Sequence, residues 1–119
     1  MIKVHESERE YRFGDSGPKY LRKGPFLSTG IVAFNPGQDF QCHYHSIMEE
    51  SFLIIEGQLD FYIDNKLVKC KAGDLVTAEP GESHYIKNTS DEVAKAVFML
   101  APFQLQDKVV VEDNNIEEE

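Results

Sequence analysis

Residues 37–57 read GQDFQCHYHSIMEESFLIIEG, and residues 73–88 read GDLVTAEPGESHYIKN. His43 and His45 are two apart. Side chains alternate along an extended strand, so both imidazoles project from one face and can share one ion. Such a pair alone is weak evidence, because strand histidines on a solvated face are common. The wider spacing is more informative. Five residues separate Gly37 from His43, four separate His45 from Glu50, and six separate Glu50 from Gly57. After a gap of 15 residues comes Gly73; two residues then separate Gly81 from His84, and three separate His84 from Asn88.

Outward from these stretches, short apolar segments recur with turn signals between them. Gly30–Phe34 runs into Asn35-Pro36-Gly37, Phe52–Ile55 ends at Gly57, and Leu59–Ile63 meets Asp64-Asn65 before Leu67–Cys70 returns. Asp64-Asn65 is a two-residue hairpin signal. Asp74–Thr77, His84–Lys87 and Val93–Leu100 complete at least seven strands, and no ten residues show a helical period without Gly or Pro. The class is all-β, a sandwich or barrel. Residues 30–111 are expected to form the barrel. Residues 1–29 are read as an arm, with strand pieces around Ile2–Val4 and Tyr11–Phe13. The acidic run 112–119 is expected to be a solvated, disordered tail.

Several strands are apolar on both faces: Phe52 and Ile54 oppose Leu53 and Ile55, and Ala94, Ala96 and Phe98 oppose Val93, Val97 and Met99. A one-layer surface strand alternates apolar with polar. Doubling therefore predicts a cover for the outer face, either the arm or a second subunit, and a homodimer is expected.

The net charge of −9, from 21 acidic and 12 basic residues, disfavours nucleic acid and anionic membranes as partners. The first twenty residues lack the apolar core of a signal peptide, and the longest apolar run, Ala96–Ala101, is far too short for a membrane helix. Cys42 and Cys70 have no CxxC spacing and are read as reduced, buried thiols, so a cytoplasmic location is expected.

The two spacings resemble the two motifs of the cupin superfamily, specifically its small single-domain barrels. In one departure the family's proline would fall at Glu79, whereas Pro80 sits one place later. The resemblance covers residues 37–88. It implies an antiparallel double-stranded β-helix, or jelly-roll barrel, holding one divalent transition metal ion. The implied ligands are His43, His45, Glu50 and His84. Glu49 also fits the family's range after the second histidine, but only Glu50 places Gly57 six residues later. Three nitrogens and one oxygen suit iron, manganese, zinc, nickel, cobalt or copper.

By strand parity Gln41, Phe52 and Ile86 share the ligands' face and line the cavity, whereas Tyr44 and Tyr85 point away. No arginine or lysine shares that parity nearby, which predicts little grip on a phosphate or dicarboxylate. His5 is read as an exposed histidine of the arm. No catalytic side chain is identified. The resemblance implies a small-molecule ligand or substrate. A metal-dependent oxygenase, isomerase, decarboxylase or lyase, acting on a small carbonyl- or carboxylate-bearing or aromatic compound, is the leading expectation. The alternative is a non-catalytic binding or sensory module, because fold does not settle function.

Overall fold

The computed structural model describes residues 1–112. After a short 3-10 turn at Glu6–Glu8 come β1 (Gly17–Lys23), β2 (Ser28–Phe34), β3 (Asp39–His45), β4 (Glu49–Glu56) and β5 (Gln58–Ile63). Then follow β6 (Lys66–Lys71), β7 (Leu75–Ala78), β8 (His84–Lys87), β9 (Ala94–Ala101) and β10 (Lys108–Val110). They form two five-stranded sheets of order β1-β2-β9-β4-β7 and β10-β3-β8-β5-β6. All pairings are antiparallel, so the chain is an all-β jelly-roll barrel. The tail expectation for 112–119 lies, from residue 113 onward, outside the described residues.

Turn chemistry sets the register. Asp64 and Asn65 close the β5–β6 hairpin with φ of 47° and 65°. Two positive φ values give a tight turn whose twist matches the strands it joins. Gly57 has φ 74°, and a Cβ there would lie 2.7 Å from the Val93 carbonyl oxygen, so the β4–β5 corner requires glycine. Between the sheets the fully buried side chains of Phe34, Ile54, Leu59 and Phe61 form the core.

The segment before residue 30 is more regular than its sequence suggests. β1 pairs with β2 as the edge of the first sheet, while Ile2–Val4 forms no strand and Tyr11 makes only a single bridge to Gly14. Residues 11–16 form a compact loop against the start of β1, with Arg12 N–H donating to the Pro18 carbonyl at 3.0 Å and Phe13 N–H to the Ser16 carbonyl at 3.0 Å. Lys19 anchors this loop: its buried ammonium pairs with Glu6 at 3.2 Å and sits 4.2 Å from the centre of the Tyr11 ring.

The segment before β1 covers only the β1 end of the first sheet's outer face, where Glu6 and Tyr11 lie over Lys19, the cross-strand partner of Ile31. Ile31, Val97, Leu53 and Leu75 are consecutive cross-strand partners there, and Leu53, Ile55, Leu75 and Val93 are exposed.

Candidate metal centre

His43 and His45 come from β3, His84 from β8 in the same sheet, and Glu50 from β4 in the facing sheet. His43 and His84 are direct cross-strand partners and therefore share a face. One ligating atom from each of the four residues falls within 4.8 Å of the other three. The three Nε2 atoms point at one oxygen, Glu50 Oε1, at 2.9 Å for His84, 3.2 Å for His45 and 3.9 Å for His43. Glu50, His45 and His84 are buried and His43 is partly so, whereas Glu49 is exposed.

This set fits a divalent ion. Three imidazoles around one carboxylate supply neutral nitrogen lone pairs and one compensating charge. His43 Nδ1 lies 3.0 Å from the Gln41 carbonyl oxygen. Donation of its N–H there leaves Nε2 bare and facing the carboxylate, an arrangement that a cation between them relieves. The buried Nδ1 atoms of His45 and His84 have no hydrogen-bond partner among the described residues.

Electrostatics keep the donors in ligating form. His43 is lowered to about 4, chiefly because burial disfavours the imidazolium, with the His84 charge acting in the same direction. Burial alone would raise Glu50, but hydrogen bonds from His45 and His84 outweigh it and hold the carboxyl at about 2.

The four side chains lie in a cavity of about 310 Å³. Gln41, Phe52 and Ile86 line it, and so do Phe34, Phe40 and Phe98. Phe40 enters because β3 is bulged against β8 between Phe40 and His43, which puts Phe40 opposite Ile86. A bulge inserts one residue and breaks strict alternation, so parity counted from His43 misassigns Phe40. Tyr85 hydrogen-bonds Asp39 and packs against Tyr62, and neither it nor Tyr44 lines the cavity. His5 caps the short turn at Glu6–Glu8, away from the site.

The absence of a nearby cation is corrected by the structure, since Arg12 and Lys108 both line the cavity. Parity was counted on the motif strands, and these two residues lie outside them. Lys108 is the cross-strand partner of His45 and so shares its face, while Arg12 is carried in by the loop before β1. Tyr20 also lines the cavity, its ring edge-on to Phe98 at 5.0 Å. Burial and then the Glu50 charge raise its phenol, with Arg12 opposing, so it stays a protonated donor. The one available signal for Lys108 was the apolar run Val109–Val111 after it, too short to be read as a strand.

Comparison with known proteins agrees with this architecture. Over 73 residues the chain is 30% identical to the polyketide synthase protein CurC of Streptomyces cyaneus, covering 61% of this chain and 47% of CurC. It spans about half the length of the curated relatives it matches first. A double-stranded β-helix protein of Klebsiella pneumoniae superposes with a TM-score of 0.81 at 21% identity, over 95% of this chain and 99% of that one. Pac13 of Streptomyces, a nucleoside dehydratase, superposes with a TM-score of 0.73 at 26% identity, over 93% of this chain and 91% of Pac13. The family model for the cupin domain, Cupin_2, matches residues 30–100, and the chain belongs to that family.

Proposed function

We propose that this cupin is a metal-dependent enzyme acting on a small carbonyl- or carboxylate-bearing or aromatic compound, with His43, His45, Glu50 and His84 as the metal ligands. The observation that carries this reading is the convergence of three Nε2 atoms on Glu50 Oε1 inside an otherwise largely apolar cavity. A divalent ion held there supplies Lewis acidity toward a carbonyl or carboxylate oxygen. The chain's own residues orient and enclose the compound: Phe52, Phe98 and Ile86 pack against its apolar body and exclude water. Tyr20 offers a neutral hydroxyl as hydrogen-bond or proton donor. Similarity to a nucleoside dehydratase supports the enzymatic reading and adds nucleosides to the compounds worth testing.

Two further elements belong to this reading. The row Ile31, Val97, Leu53 and Leu75, with Leu53 and Leu75 exposed, supports a homodimer through the outer face of the first sheet. Two buried free cysteines and the acidic charge support a cytoplasmic protein without nucleic-acid or membrane partners; no helix among the described residues is long and apolar enough to cross a membrane.

The test is elemental analysis of the purified protein. The metal-loaded form is then screened against small carbonyl compounds, organic acids, catechols and nucleosides, beside His45→Ala. Turnover that depends on metal and is lost in the variant is the expected result. Saturable binding without turnover under any metal would shift the reading to a binding or sensory cupin.

A further inference from the structure

The cavity mouth carries a charge pattern that the metal centre does not use. Arg12 and Lys108 are the two basic residues lining the cavity, and Glu50, already engaged by the histidines, is its one acidic residue. Neither Arg12 nor Lys108 has a carboxylate partner among the described residues, although the chain has 21 acidic residues to 12 basic ones. They come from opposite walls. Arg12 precedes β1, the edge of the first sheet, and Lys108 begins β10, the edge of the second. Arg12 acts electrostatically on the Tyr20 hydroxyl, and Lys108 acts on His43. Both cations line the cavity that holds the four converging side chains.

We propose that Arg12 and Lys108 form an anion subsite that selects a compound with a carboxylate at one end and a metal-coordinating oxygen at the other, joined by a flat apolar body. For the second end this rests on the metal reading above. A protein of net charge −9 repels anions at long range, so an anionic ligand must be won by local charge. An arginine and a lysine beside aromatic walls provide it: guanidinium and ammonium N–H groups donate to the carboxylate while the rings displace water from its body. Tyr20, protonated and lining the same cavity, adds a neutral donor.

The probes are catechol and protocatechuate, which share a ring and two adjacent hydroxyls. Protocatechuate adds a carboxylate on the far edge. Each is titrated calorimetrically into zinc-loaded and zinc-free protein. In the zinc-loaded wild type, protocatechuate is expected to bind about tenfold more tightly than catechol, as charge-assisted hydrogen bonds of this kind provide. The margin should shrink as salt rises. In Arg12→Gln/Lys108→Gln the margin should vanish, with catechol affinity and zinc content unchanged. Equal affinities in the wild type, or a margin that survives the double substitution, overturns the subsite. Failure to take up zinc overturns the metal reading alone. The same preference for the acid is then read on the zinc-free protein, where equal or absent binding overturns the subsite.

Discussion

His84 Nε2 lies 2.9 Å from Glu50 Oε1, although the residues are 34 positions apart and belong to opposite sheets. The contact ties the sheets together at the cavity floor. Replacing His84 by Ala or Glu50 by Gln should therefore weaken metal retention more than loss of an outer-shell partner does, by over about 100-fold. The apolar core does not depend on either residue, so the barrel should stay folded. Metal content after dialysis and far-ultraviolet circular dichroism read the two effects separately; a variant that keeps its metal refutes the ligand assignment.

Acid should destabilise the metal-free protein in two stages. His43 sits at about 4 rather than its ordinary 6.5, so the unfolded chain binds more protons between those values and stability falls as pH drops from 6.5 toward 4. Glu50 sits at about 2 rather than 4.5, so its contribution is complete above 4.5 and is lost as pH falls toward 2. Each stage is worth at most about 3 kcal/mol. Urea midpoints measured against pH should flatten between 6.5 and 4 in His43→Gln, and below 4.5 in Glu50→Gln.

Most of the barrel is legible from turn residues and strand-length apolar runs, because both are local signals. The four converging side chains are those that the resemblance to the cupin motifs implies. The mouth of the cavity is not legible. Arg12 reaches it through a loop tied by the Lys19–Glu6 pair, a contact spanning 13 positions with no periodic signature. Lys108 reaches it through a three-residue strand recognisable only by its pairing with β3. Phe40 is misplaced by a bulge, which alternation cannot foresee.

Gly30→Ala should destabilise the protein by about 1–3 kcal/mol, the usual cost of overpacking. A Cβ at residue 30 would run into the Lys19 carbonyl and come within 2.8 Å of Phe98 Cζ. The Tyr20–Phe98 ring contact across this position depends on that missing methyl. Thermal unfolding reads the loss; an unchanged midpoint would mean that β1 moves away freely.

The loop joining His45 to Glu50 is held by one distant carboxylate. Asp107 accepts backbone N–H bonds from Ser46 at 3.1 Å and from Ile47 and Met48 at 2.8 Å. Burial would raise its carboxyl, but these bonds lower it. Asp107→Ala removes the side-chain acceptor of Ile47 and of the buried Met48, while Ser46 N–H keeps the Asp107 backbone carbonyl at 3.3 Å, and should cost about 1–3 kcal/mol. It should also speed amide exchange at residues 46–48. Asp107→Asn keeps one acceptor oxygen and should lose less. Equal effects from the two variants would show that the side chain only packs.

The outer face of the first sheet gives the last prediction. Ile31, Val97, Leu53 and Leu75 form one cross-strand row, with Leu75 60% and Leu53 36% exposed. A contiguous apolar row on a monomer's surface is unfavourable in water, and a two-fold copy of the same face buries both rows at once. Extending β1 outward cannot cover them, because β1 is hydrogen-bonded to the opposite edge of the sheet from β7. Sedimentation at micromolar concentration should show a dimer for the wild type and a monomer for Leu53→Lys/Leu75→Lys. The double variant should keep its metal, since both side chains face away from the cavity. A wild-type monomer, or a double variant that still dimerises, would rule out this face as the interface.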